Sequence, residues 1–202
     1  MENAHPSRHF SPLVERALRV AARFHRQQSR KASDLPYITH PAGVALVLLS
    51  AGFHEEHVLA AGLLHDTLED TDYTPEELAA EFPPEVVEIV AALSEEKLDD
   101  AGRKRPWRDR KQDHIAAVAT AAPAARAVVL ADKLHNLGTM LFDLNEGHDI
   151  WERFNAPAAD VLWYQRTMVD TAAGVDDPRI GALAAECRAI IDKLAESVIT
   201  DD

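Results

Sequence analysis

One cysteine, Cys187, occurs in 202 residues. A lone thiol cannot close an internal disulfide, so a core must hold the fold, and a reducing cytoplasm is the expected compartment. Glycine is scarce, at 8 residues, and β-branched runs are short, while alanine and leucine abound. That composition points to an all-α protein. No apolar run approaches the roughly 20 residues needed to cross a bilayer. The opening "MENAHPSRHF" lacks the apolar block of a signal peptide. Positive charge is also short: the net charge is −13. General nucleic-acid binding needs a basic surface and is disfavoured. No Walker-type glycine loop supports ATP-driven transfer, and no serine–histidine–acid triad suggests a covalent route.

What is present is helix after helix. The chain is 47% hydrophobic, enough for a real core. Apolar periodicity predicts helices over 11–28, 40–52, 54–69, about 85–94, 108–121, 124–142, 157–173 and 178–198. "TPEE" predicts another helix start: Thr74 as N-cap, Pro75 at the first position and Glu77 closing a capping box. Residues 98–107 read as a polar loop. Short connections between helices predict an orthogonal helical bundle. The length fits one domain, 1–202, with the motifs in 11–142 and helices of 150–198 packed on them.

The chemistry concentrates in "LLHDTLEDT", residues 63–71. On one continuous helix, His65 pairs with Glu69 and Asp66 with Asp70, so all four project from one side. Three carboxylates and an imidazole so close repel unless a cation compensates. A divalent metal does this, and His plus Asp ligation suits Mn²⁺, Fe²⁺ or Zn²⁺. A solvent-facing acidic helix is the plain alternative, but the apolar "AAGLLHD" favours burial. Asp132 in "LADKLHN" and His40 in "YITHP" stand in similarly apolar contexts. Each alone has an ordinary explanation, a salt bridge or a satisfied core histidine. Together, His40, His65, Asp66 and Asp132 form a two-His, two-Asp set.

At this point the sequence resembles a family. "HD" with a distant "D" is similar to the HD-domain metal-dependent phosphohydrolases. "RKASDLPYITHP", "AAGLLHDTLEDT", "FPPEVVEIVAALSEEK" and "VVLADKLHNLGT" resemble, in order and spacing, the hydrolase domain of RelA/SpoT-type enzymes, the stand-alone small alarmone hydrolases in particular. The resemblance spans about 11–142 and continues more weakly through "WERFN" and "WYQR". It implies an HD-type helical bundle with one Mn²⁺ on His40, His65, Asp66 and Asp132. Glu69 and Asp70 would activate and orient the attacking water. Arg30 and Lys31 would line the base side, and Asn136 and Thr139 would meet the ribose-phosphate part.

The implied reaction is removal of the 3′-pyrophosphate of (p)ppGpp, giving GDP or GTP and pyrophosphate. An HD phosphohydrolase of another nucleotide, such as an NADPH phosphatase, is the enzyme alternative. A nucleotide-binding module without turnover is another, although every residue of the metal and acid set is present. The basic run "RKRPWRDRK", 103–111, is expected to help neutralise substrate phosphates, with Arg103, Lys104 and Arg105 foremost. The chain departs from the family pattern at Gly138, where many relatives carry an arginine. About 60 residues follow "HNLGT", short of an ordinary domain, so degradation and not synthesis is expected. Trp151, Phe154, Trp163 and Tyr164 read as core aromatics.

Overall fold

The computed structural model describes residues 10–31, 33–99 and 101–199. The all-α expectation holds: ten α-helices and one 3₁₀ turn make up the regular structure among these residues. The first is α1, Pro12–Phe24, opened by Ser11, whose side chain accepts from the Val14 amide. Then come α2, Thr39–Ser50, and α3, Glu56–Leu64. After these follow α4, Thr67–Asp70, α5, Pro75–Glu81, and α6, Pro84–Leu93. The chain ends with α7, Trp107–Thr120, α8, Pro123–Asn145, α9, Ala158–Ala172, and α10, Pro178–Ile199. The capping box at α5 is formed as predicted, with the Thr74 side chain bonded to the Glu77 amide and Glu77 bonded back to the Thr74 amide.

Two helices form the centre. α3 buries every residue from Val58 to Leu64, as a helix apolar all round must. It is enclosed by α1, α2, α6 and α8. α8 is buried without interruption from Ala125 to Ala131 and carries α2 on one side and α9 and α10 on others. Close approach of α2 and α3 depends on Gly62: a Cβ there would lie 2.7 Å from Leu48 Cδ1. One hydrophobic cluster runs from Ala17 in α1 to Leu194 in α10.

The helix expected over 54–69 is in fact two. α3 stops at Leu64, residues 65–66 form a turn, and α4 restarts at Thr67. The Thr67 hydroxyl donates to the Leu64 carbonyl at 2.6 Å, replacing a backbone bond of a continuous helix. The interruption falls on His65 and Asp66, at the end of the most buried helix of the fold.

Candidate metal centre

Three elements bring the four predicted ligands together. His40 comes from the first turn of α2, His65 and Asp66 from the turn after α3, and Asp132 from the middle of α8. His40 Nε2 lies 3.1 Å from Asp132 Oδ1 and 3.5 Å from Asp66 Oδ2. His65 Nε2 lies 3.0 Å from Asp66 Oδ2 and 3.6 Å from Asp132 Oδ1. The ligand atoms of His40, His65 and Asp132 all fall within 4.8 Å of one another.

The donor set fits a cation on structural grounds. His65 Nδ1 sits 2.9 Å from the Gly62 carbonyl. A carbonyl only accepts, so Nδ1 carries the proton and, in the neutral ring, Nε2 keeps its lone pair. Among the described residues, that buried Nε2 has no partner with hydrogen-bond geometry. It meets two carboxylates, acceptor against acceptor, and only positive charge reconciles them. The proton equilibria say the same. Burial works to strip His65 of charge, yet Asp66 and Asp132 outweigh it and hold its pKa well above the usual imidazole range. Burial also works against the Asp132 carboxylate, but Lys133, His40 and His65 hold its pKa well below the usual range. At His40 burial outweighs the opposing influence of Asp132 and Asp66, and its pKa is lowered.

Neighbours orient each ligand. Tyr37 Oη donates to Asp66 Oδ2 at 2.7 Å. Asn136 Nδ2 donates to Asp132 Oδ1 at 2.6 Å and its carbonyl accepts from Arg30 Nη2 at 2.9 Å. Lys133 Nζ donates to Asp132 Oδ2 at 2.7 Å. His40 Nδ1 and His135 Nδ1 are 3.0 Å apart. When His40 offers Nε2 as a ligand, its Nδ1–H donates to His135, the outer partner that metal-binding histidines usually have. Tyr37, Lys133 and His135 were not singled out by sequence reasoning. Their signals were present in "PYITHP" and "ADKLHN": Tyr37 stands three residues before His40, and His135 three after Asp132.

The other predicted residues separate into two groups. Glu69 lines the same cavity, of about 170 Å³, as His40, His65, Asp66 and Asp132, and so do Arg30 and Asn136. Asp70 does not line it; its Oδ1 is 2.5 Å from Lys97 Nζ, which also lies 3.2 Å from Glu69 Oε1. The break at 65–66 removes the single helical face on which the four were expected to align. Lys31 is exposed, its Nζ 5.7 Å from the Phe154 ring centroid. Thr139 spends its hydroxyl on the Asn136 carbonyl of its own helix. In the basic run, Arg103 pairs with Asp99 and Arg105 with Asp113, and neither they nor Lys104 line the cavity. Lys111, the last residue of the run, does, together with Glu95, His114, Lys133 and Tyr164. Tyr164 is a core aromatic, as read, and also cavity wall; Trp151, Phe154 and Trp163 pack against the core. Gly138 is not on the cavity lining.

Burial raises the pKa of Glu69, with Lys97 opposing and Asp70 and Asp66 adding to the rise. A carboxylate so tuned takes up a proton nearer neutrality than an exposed one. The site therefore sets a histidine–aspartate cluster, a carboxylate of raised pKa and several cationic side chains around one small cavity. No helix among the described residues is long and apolar enough to cross a membrane.

The chain is similar to several known proteins. The chain is 41% identical over 152 residues to the human guanosine-3′,5′-bis(diphosphate) 3′-pyrophosphohydrolase MESH1, spanning 73% of this chain and 82% of that protein. It is 41% identical over 132 residues to the GTP pyrophosphokinase of Streptomyces coelicolor, which covers 64% of this chain but 15% of that protein. Its fold superposes on the structure of a metazoan ortholog of SpoT that hydrolyzes ppGpp with a TM-score of 0.74 and 28% identity, covering 93% of this chain and 98% of the other. The HD-domain profile matches residues 17–156. With the match covering more than half of its length and containing the histidine–aspartate cluster, the chain belongs to the HD-domain family.

Proposed function

We propose that this protein is a Mn²⁺-dependent hydrolase that removes the 3′-pyrophosphate of (p)ppGpp, releasing GDP or GTP and pyrophosphate. The observation that carries the reading is the convergence of His40, His65, Asp66 and Asp132 beside Glu69 in one cavity that also presents Arg30, Lys111 and Lys133. The names of the relatives support the substrate class. We assign the whole chain to one hydrolase unit, since the hydrophobic cluster joins α1 to α10, and we expect it to work in the cytoplasm.

His40, His65, Asp66 and Asp132 would hold one divalent ion. Such an ion supplies positive charge for phosphate oxygens and lowers the pKa of water. Glu69 accepts the proton of the attacking water; its raised pKa suits it to hold that proton until release. Asp70 fixes Lys97, and Lys97 in turn fixes Glu69. Asn136 steadies Asp132 and hands Arg30 a fixed position on the cavity wall. Arg30 and Lys31 would meet the base side of the nucleotide, and Asn136 and Thr139, one helical turn apart, its ribose-phosphate part. Phosphoryl cleavage asks mostly for positioning and charge stabilisation, which this arrangement provides.

The test uses protein stripped of metal, then given Mn²⁺, with ppGpp and NADPH in separate reactions. Pyrophosphate and GDP from ppGpp, lost in Glu69→Gln, are the expected products. Phosphate from NADPH, with ppGpp untouched, would move the reading to another nucleotide.

A further inference from the structure

The cavity wall holds further polar residues besides the four predicted ligands and Glu69. Lys111 and His114 reach it from α7, Lys133 from α8 and Tyr164 from α9. Lys111 Nζ and Lys133 Nζ lie 4.7 and 5.5 Å from the centroid of the same Tyr164 ring. Two ammonium groups are thus gathered around one aromatic ring, largely out of water. Lys133 is 8% exposed as a residue, and the Lys111 side chain 18%. Lys133 reaches Asp132 Oδ2, and Lys111 reaches Glu95 Oε2 at 2.5 Å.

His114 completes the group. Its Nδ1 is 3.1 Å from Tyr164 Oη. Burial and neighbouring carboxylates keep the phenol protonated, its pKa pushed up to about 12 although Lys133 opposes. When the hydroxyl donates to Nδ1, the neutral ring carries its proton on Nε2. Burial, then Lys133 and Lys111, push the His114 pKa down to about 4, so the ring is neutral near pH 7. Among the described residues, the buried Nε2 has no hydrogen-bond partner. In that tautomer the ring presents a buried N–H with no acceptor to the cavity that Lys111 and Lys133 also line, a combination suited to an anion. The lining as a whole carries three cationic side chains and four carboxylates. A divalent ion on the four ligands tips that balance to positive.

We propose that Lys111, Lys133 and His114 form an anion subsite beside the metal cluster that holds the phosphate groups cleaved from the substrate. The product assignment rests on the hydrolase reading above; the anion subsite itself does not. Lys111 exchanges its Glu95 contact for a phosphate oxygen, His114 donates from Nε2, and Lys133 adds charge from behind Asp132. Inorganic pyrophosphate and inorganic phosphate share this chemistry, and the two probes separate them.

The experiment titrates inorganic pyrophosphate, inorganic phosphate and, separately, GDP into the full chain loaded with Mn²⁺, with free Mn²⁺ held constant. Lys111→Gln is expected to weaken pyrophosphate binding at least tenfold and His114→Gln several-fold, with GDP affinity within twofold of the parent. Lys111→Arg restores most of the loss. Unchanged pyrophosphate and phosphate affinity in both variants overturns the subsite, and so does an equal loss for GDP. If Lys111→Gln does not fold, His114→Gln alone decides. Binding is read without turnover, so the two readings fail separately. Pyrophosphate held by Lys111 in a protein that leaves ppGpp intact sinks the hydrolase reading only. Hydrolysis of ppGpp with pyrophosphate indifferent to both substitutions sinks the subsite only.

Discussion

Gly43 and His135 face each other with no room between them: a Cβ on Gly43 would lie 2.1 Å from His135 Nε2 and 2.2 Å from Cδ2. Gly43 is one turn after His40 on α2, and His135 one turn after Asp132 on α8. The missing side chain lets the His135 ring settle 4.9 Å from the His40 ring, with their Nδ1 atoms 3.0 Å apart. Glycine inside a helix is disfavoured by roughly 0.5–1 kcal/mol relative to alanine; here that loss keeps an outer partner on His40, a proposed metal ligand.

Gly43→Ala is therefore expected to displace His135 and lower Mn²⁺ affinity by roughly 10–100-fold, the usual effect of losing such a partner. A metal titration checks this. In a His135→Ala background the same substitution should have little further effect, because the clash and the partner are both already gone. An equal loss in both backgrounds would place the effect elsewhere.

Gly138 provides the contrast. It also lies inside α8, but a Cβ there meets no heavy atom within 4 Å. Gly138→Ala is expected to raise stability by about 0.5–1 kcal/mol through backbone entropy. Denaturant unfolding measures it. Turnover should be unchanged, since Gly138 is absent from the cavity wall.

Lys97 tests the acid pair. Burial raises the Glu69 pKa, and the Lys97 charge is the largest influence opposing it. A general base must be ionised, so activity falls as pH drops through its pKa. Lys97→Met removes the opposing charge, the pKa climbs further, and the acid limb of kcat/KM moves to higher pH. Glu69→Gln should lower kcat by about 10²–10⁴-fold on the plateau above that limb, where Glu69 is ionised, and by less below it. An acid limb that stays in place in Lys97→Met would assign it to another group.

Much of this was legible in the chain. His40, His65, Asp66 and Asp132 were each found as polar residues in apolar runs, and burial of the elements that carry them brings the four together. The capping box of Thr74 and Glu77 is a local signal and formed as read. The break after Leu64 was missed because helical periodicity is nearly continuous across it; the deciding bond, Thr67 to Leu64, competes with the backbone without altering the pattern. The basic run was visible, but not which of its members turns inward. Arg103 and Arg105 find acidic partners at Asp99 and Asp113, while Lys111 meets the cavity through the register of α7 against α9. Such selection depends on packing between distant segments, which spacing along one segment does not encode.

Glu95 offers the last prediction. Its side chain is 3% exposed and paired with Arg110 and Lys111. Burial alone would raise its pKa, but the hydrogen bond and charge of Lys111, then Arg110, outweigh it, and the folded pKa is lowered. A carboxyl with a depressed folded pKa stabilises the fold above its unfolded value, near 4.3. That contribution is lost as pH falls from there through the folded value. At neutral pH, Glu95→Gln leaves two cations without their counter-charge and is expected to cost about 1.5–3 kcal/mol. Thermal unfolding of both proteins from pH 7 to pH 3 checks this. Asp66 and Asp132 titrate in both proteins, so the difference reports Glu95 together with His114, whose Nδ1 lies 3.9 Å from Glu95 Oε2 and whose low pKa the Glu95 charge raises. The gap should be constant down to about pH 4.5 and narrow below it, as the parent protonates the carboxyl that the variant lacks. A gap that stays constant to pH 3 would mean that Glu95 is held by packing and not by its charge.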